Sequence, residues 1–244
     1  MLTEDRKRLL DDQGFLLLEG VLSEADADLM RESCLALAAQ DLREGCNHTY
    51  GRGAQRVWNL VDKGEVFEQA IQHPSVFEAM AYLLGDDFAL SSFTANILGP
   101  GTPDGGLHID YPVSNLPSPR PSFPLVANSV WFLDEFTRDN GATSCIPGSH
   151  HRLEALPAAG VEYDDEVQVE GPKGSVLILN GAVWHGSSAN RTDRNRVGLL
   201  GFYCRALLKP QQNHLGIVSQ EVVNRATPRL KQLLGYDSQP NNNR

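Results

Sequence analysis

"GSVLILNGAVW" (residues 174–184) is a run of β-branched and large apolar residues bounded by glycine. Such a run is too short for a stable helix and reads as a strand buried on both faces. Three other stretches share its texture: "FALSSFTANIL" (88–98), "LVANSVWFLDEF" (125–136) and "RVGLLGFYCRAL" (196–207). From Phe88 onward the chain is a series of short β-type runs separated by Gly, Pro and Asn, which predicts an antiparallel sandwich or barrel.

Helical patterns flank this block. In "LTEDRKRLLDDQG" Thr3 can cap a first helix and Gly14 can end it. "FLLLEGVL" is a short strand. "SEADADLMRESCLALAAQDL" is a second helix with Ser23 as N-cap and acidic residues in its first turn. Residues 44–57 are polar and glycine-rich and read as a loop. "GEVFEQAIQHPSVFEAMAYLLG" predicts one or two helices broken near Pro74 and ending at Gly85. "IVSQEVVNRATPRLKQLLG" restores a helical pattern broken near Pro228, and "YDSQPNNNR" reads as a flexible tail. Helices before and after the strands, with no G-x-G-x-x-G after a strand, disfavour a doubly wound parallel sheet. The expectation is one mainly β domain with flanking α-helices: N-terminal helices 1–86, a β core 87–208, a C-terminal helical segment 209–235 and the tail.

The chain has 244 residues, 41% of them hydrophobic, and a formal net charge of −10. That composition is globular, and the acidic balance argues against nucleic acid as a partner. No apolar run reaches the roughly 20 residues that span a bilayer, and the charged N-terminus lacks the apolar core of a signal peptide. These features predict a cytoplasmic protein with no membrane association, and reduced thiols at the scattered Cys34, Cys46, Cys145 and Cys204.

"GGLHIDYP" (105–112) places His108 and Asp110 two apart, on one face if the segment is a strand. A metal there needs a third ligand. The remaining histidines are His48, His73, His150, His151, His185 and His214. His185 is the strongest, because it follows a buried strand and faces the core or the mouth of a sandwich. Two imidazoles and a carboxylate with open positions left over form the facial triad of non-haem Fe(II) oxygenases. In that class 2-oxoglutarate supplies electrons for oxygen activation, and its distal carboxylate needs a cation. Arg196 opens the next β run, and a guanidinium can hold a carboxylate by two parallel hydrogen bonds. Arg191, Arg194 and Arg205 are nearby competitors.

With these motifs in order, the chain resembles the phytanoyl-CoA dioxygenase family of Fe(II)/2-oxoglutarate oxygenases along nearly all its length. "LTEDRKRLLDDQGFLLLEGVLSEADADLM" is similar to the family's N-terminal helix–strand–helix, and "LHID" to its His-x-Asp motif. "DNGATSCIPGSHH" resembles its Asn-Gly … Pro-Gly-Ser-His hairpin. "WHGSSANRTDRNR" is similar to its distal histidine followed by the 2-oxoglutarate arginine. The resemblance implies a double-stranded β-helix, or jelly roll. It implies that His108, Asp110 and His185 bind Fe(II), that Arg196 grips 2-oxoglutarate, and that O2 is consumed. Ser187 looks like a hydroxyl that helps Arg196, Thr143 matches a position that touches the co-substrate, and Asn96 is a further candidate for the same pocket.

His150 and His151, as strand neighbours, would face opposite ways, and the resemblance gives them a structural place closing the hairpin. Trp131 and Trp184 read as core aromatics. "YPVSNLPSPRPSFP" (111–124) carries five prolines. It is therefore a loop rather than a central strand, and a candidate lid in which Tyr111 and Arg120 would meet substrate. Residues 44–57 would form the opposite wall. The expected substrate is a modest-sized metabolite rather than a CoA ester. The expected reaction is hydroxylation of a C–H bond with release of succinate and CO2. Desaturation, epimerisation or cyclisation by the same chemistry, or a silent binding protein, are the alternatives. Halogenation is set aside because Asp110 fills the position that chloride would need.

Overall fold

The computed structural model describes residues 2–50 and 53–237. Helix α1 (Glu4–Gln13) starts where the Thr3 side chain accepts from the Arg6 N–H, and it ends at Gly14 with φ 82°. Strand β1 (Phe15–Leu18) follows, then α2 (Glu24–Glu44), capped by Ser23. Next come β2 (His48–Tyr50), β3 (Ala54–Val57), α3 (Glu65–Ile71) and α4 (Pro74–Leu84). The β core comprises β4 (Ala89–Leu98), β5 (Val126–Phe132), β6 (Thr143–Ile146), β7 (Val167–Val169), β8 (Val176–Asn180), β9 (Trp184–Ser187) and β10 (Arg196–Cys204). Three short helices follow: α5 (His214–Ile217), α6 (Gln220–Arg225) and α7 (Pro228–Leu233).

Two antiparallel sheets result. The large one has seven strands in the order β1-β8-β5-β10-β4-β3-β2, and the small one has three in the order β7-β6-β9. This is the expected mainly β architecture with flanking helices, and its two sheets are those of a jelly roll. The run 174–184 divides between them: β8 lies in the large sheet and β9 begins in the small one. The chain turns at Gly181, where a Cβ would come within 2.5 Å of the Val126 side chain and 2.9 Å of its carbonyl oxygen. A side chain there would collide with β5 of the same sheet and with the Asp110 carboxylate, 3.0 Å away.

The helices cover one face of the large sheet. Helix α4 buries Val76, Ala79, Met80, Leu83 and Leu84, a stripe at helical spacing. It shares a core with Phe93 and Ala95 of β4 and with Leu199 and Tyr203 of β10. Trp131 and Trp184 are buried, as expected. All four cysteines are free, with only Cys46 exposed. No helix among the described residues is long and apolar enough to cross a membrane.

Three local expectations are corrected. Residues 44–57 are not a plain loop: β2 and β3 pair there, and β3 pairs with β4, extending the large sheet. "LHID" forms no regular strand, only a bridge between His108 and His185. His150 and His151 lie on a 3-10 turn, not a strand, so their rings do not diverge; both Nε2 atoms reach the Asp11 carbonyl oxygen, at 3.0 and 2.9 Å. They tie the hairpin to α1. The expected flexible tail lies, from residue 238 on, outside the described residues, as do Gly51 and Arg52.

Candidate metal centre and its cavity

The segment carrying "LHID" runs antiparallel to β9. The His108 N–H donates to the His185 carbonyl at 2.8 Å, and the His185 N–H to the His108 carbonyl at 3.0 Å. Between them the backbones nearly touch: a Cβ on Gly186 would lie 2.2 Å from the Gly106 carbonyl oxygen. Only glycine permits that crossing. Asp110 is fixed separately, its N–H donating to the Gly181 carbonyl at 2.9 Å. The turn that separates the sheets therefore also sets the carboxylate.

These anchors bring one potential ligand atom from each of His108, Asp110 and His185 within 4.8 Å of one another. His108 Nε2 lies 4.0 Å from Asp110 Oδ1, and His185 Nε2 lies 3.8 Å from Asp110 Oδ2. His185 Nδ1 sits 2.8 Å from the Val183 carbonyl, which can only accept, so Nδ1 carries the proton. Its Nε2 lone pair is left facing Asp110, which is the tautomer a metal requires. The Asn128 amide donates to Asp110 Oδ2 at 2.6 Å and orients it.

Electrostatics favour a cation here. Burial pushes Asp110 up to about 6, against the opposing pull of His108 and of the Asn128 hydrogen bond. Burial lowers both His185 and His108, and His185 lowers His108 further. Two imidazoles held neutral and a carboxylate short of solvation form a nitrogen and oxygen donor set that a divalent ion would complete.

The triad opens into a cavity of about 520 Å³ between the sheets. Arg196, Ser187, Thr143 and Asn96 all line it. Thr143 stands opposite Ser187 in the β6–β9 register, and Asn96 opposite Gly198 in the β4–β10 register. Arg196 is 2% exposed. Burial lowers it to about 10, its guanidinium lies 4.1 Å from the Phe136 ring centre, and it donates to the Gly141 carbonyl. Its Nε is buried with no hydrogen-bond partner, and among the described residues it forms no ion pair. A buried cation without a counter-ion is costly, and a ligand carboxylate would repay that cost.

The competing arginines are engaged elsewhere. Arg205 donates to the Pro124 and Leu83 carbonyls, Arg194 is exposed beside Asp193, and neither they nor Arg191 line the cavity. His48, His73, His150, His151 and His214 stand apart from the cluster. Arg120 donates to the Leu153 and Ala155 carbonyls, tying the Pro-rich loop to the segment after β6, and it does not line the cavity. Tyr111 is 60% exposed and lines a smaller neighbouring cavity.

Tyr50 and Arg56 line the cavity, so the 44–57 segment does supply a wall, although neither residue was singled out from sequence; Ser92, Asn128 and Gln211, also on the wall, were missed. Arg56 lies over the Tyr50 and Trp58 rings, at 4.9 and 5.6 Å, and its charge is felt by His108 and Asp110. The Tyr50 hydroxyl donates to Asn96 Oδ1. One signal was available: Ser92, Thr94 and Asn96 alternate with Phe93, Ala95 and Ile97 and mark a polar face of the strand.

Known proteins resemble this chain along most of its length. The profile of the family described as phytanoyl-CoA dioxygenase (PhyH) matches residues 10–198. Dioxygenase af480 of Aspergillus fumigatus is 30% identical over 237 residues, spanning 95% of this chain and 76% of that protein. The Fe(II)/2-oxoglutarate-dependent dioxygenase nvfF of Aspergillus novofumigatus is 27% identical over 247 residues, spanning 93% of this chain and 80% of its own. HygX from Streptomyces hygroscopicus, solved with nickel and 2-oxoglutarate bound, shares the fold with a TM-score of 0.70 at 16% identity, over 86% of this chain and 90% of that one. Its likeness reaches the architecture, while the profile reaches the motifs. On the profile match and on the 30% identity with dioxygenase af480 along nearly the whole chain, the chain belongs to the phytanoyl-CoA dioxygenase family.

Proposed function

We propose that this chain, acting as one catalytic domain, holds Fe(II) through His108, Asp110 and His185 and uses 2-oxoglutarate and O2 to hydroxylate a C–H bond of a small-molecule metabolite. One oxygen atom enters the substrate as hydroxyl; the other enters succinate as 2-oxoglutarate loses CO2. The observation that carries this reading is the pairing, in one cavity, of the three-ligand cluster with a buried guanidinium that lacks a counter-ion. The names of the relatives and the 2-oxoglutarate held by HygX support it.

When bound, the metal and 2-oxoglutarate together supply the oxidising power. The chain's own residues do the rest. Val183 and Asn128 lock His185 and Asp110 in the state that accepts a cation. Arg196 receives the distal carboxylate, with the Ser187 and Thr143 hydroxyls and the Asn96 amide beside it. Arg56 lines the same cavity, and its charge, felt by His108 and Asp110, would favour an anionic co-substrate beside the triad. Asp110 occupies the position that halogenation would need open. Desaturation, epimerisation and cyclisation begin from the same site, and no residue here favours them over hydroxylation.

The test is succinate formation from 2-oxoglutarate with Fe(II) and ascorbate, in air and without oxygen. Oxygen- and iron-dependent succinate is expected. Its absence across a broad metabolite screen would leave a binding protein instead.

A further inference from the structure

The registers of the large sheet order the cavity from end to end. On β10, Arg196, Leu200 and Phe202 line it, at alternate positions. Phe202 pairs with Ser92 on one side and with Asn128, the Asp110 partner, on the other. The metal ligands therefore sit at the Phe202 row, and Arg196 lies six residues away along the same strand. If 2-oxoglutarate spans Arg196 to the triad, that half of the cavity is occupied.

Beyond Phe202, on the side away from Arg196, lies a second cavity of about 140 Å³. It shares Phe202 and Gln211 with the first as a common wall. Val126, Cys204 and Leu208 give it an apolar interior, and Tyr111 of the Pro-rich loop borders it. A β-bulge makes this chamber: the β4–β10 register skips one residue after Ser92, leaving Ser91 unpaired. Ser91 then holds the segment after β10, its Oγ accepting from the Gln211 N–H at 2.9 Å and its carbonyl from the Gln212 N–H at 2.9 Å. Gln211 Oε1 accepts from Ser92 at 2.9 Å, so the carboxamide N–H pair stays free of protein partners among the described residues.

We propose that this chamber is a subsite for the primary substrate, which is an apolar-bodied small molecule with a hydrogen-bond acceptor near the carbon oxidised. The acceptor meets the Gln211 carboxamide, and the apolar end enters the chamber between Tyr111, Phe202 and Leu208. The proposal rests on the placement of 2-oxoglutarate given above. An apolar pocket with a few fixed polar groups is the usual form of a small-molecule site. A chamber of this size favours a single ring or a short chain at that end.

The probe is a series of 2-alkanones from 2-butanone to 2-undecanone, titrated calorimetrically without oxygen into the full chain loaded with Fe(II) and 2-oxoglutarate. Each methylene that enters the chamber should lower Kd roughly fourfold until the chamber is full, after which Kd levels off. Leu208→Trp, at a half-buried position, and Cys204→Leu both fill the space and should bring the levelling to shorter chains. Thermal melts report that each variant is folded. Absence of binding, a flat series in wild type, or an unchanged series in both variants would overturn the chamber. The 2-oxoglutarate Kd of wild type and Arg196→Ala, measured alongside, separates the two readings. Equal values there sink the co-substrate placement, whereas a clear loss with a flat alkanone series sinks the chamber alone.

Discussion

The two faces of the large sheet are built from the same strands and do opposite things. Along β10, Val197, Leu199 and Tyr203 point into the helix-covered core, while Arg196, Leu200 and Phe202 point into the cavity. Along β4, Phe93, Ala95 and Ile97 face the core, and Ser92, Thr94 and Asn96 face the cavity. The first face is apolar and closed by its own side chains. The second buries polar groups, and its guanidinium is left incomplete. Burying polar groups without partners is unfavourable, so the helix-side core must outweigh that cost until ligands arrive. Stability and binding are thus set at alternate residues of the same strands.

The largest effect expected is on the cavity face. His108→Ala, Asp110→Ala and His185→Ala should each reduce iron-dependent succinate formation to background while circular dichroism stays that of wild type. Near wild-type turnover in any one would remove that residue from the ligand set. On the opposite face, Phe93→Ala should cost about 3–5 kcal/mol of unfolding free energy in denaturant titration. The folded fraction should still bind 2-oxoglutarate as wild type does; a matching loss of affinity would mean that the two faces are not separable.

Arg196→Ala should raise the 2-oxoglutarate Kd about 30-fold or more, since truncating one partner of a desolvated charge pair costs roughly 2–5 kcal/mol. Anaerobic calorimetry measures it. Arg196→Lys should recover part of this loss, because an ammonium does not reproduce the two-pronged geometry.

His214 offers a milder test of how the edge of the sheet is held. It is 2% exposed, and burial pushes its ring down to about 4 against the pull of the Leu90 and Ser91 backbone. The unfolded chain, with an imidazole near 6.5, binds the proton more readily. Stability is therefore full above pH 6.5 and declines as pH falls toward 4, by about 3 kcal/mol in all. His214→Phe should flatten that slope in unfolding measured from pH 7 to 4. An unchanged slope would assign acid sensitivity to the cavity face instead.

Much of this was legible before the fold was known. Thr3 and Gly14 bound α1 because a hydroxyl can accept an orphan N–H and glycine can take a positive φ, which are local properties. The buried strands announced themselves as short apolar runs. His108, Asp110, His185 and Arg196 were singled out from residue type, spacing and family resemblance, and the structure brings them to one cavity. The β2–β3 hairpin was not, because all three residues of β2 are exposed and show no alternation of apolar and polar residues. With the hairpin went Tyr50 and Arg56, which reach the cavity only because β3 pairs with β4.

The sequence by itself determined where helices begin and end, which runs are buried, and which side chains have the chemistry for a metal and an anion. These follow from backbone preference, hydrophobic periodicity and ligand type, all read within a few residues. The tertiary structure alone decided that 174–184 splits between two sheets, that Gly186 lets the His108 segment cross β9, and that His150 and His151 turn the same way. It alone opened the chamber beside Phe202, through one unpaired residue in β4. Each of these depends on which distant backbone lies alongside. That choice is made by packing the whole core at once, and no local stretch of chain encodes it.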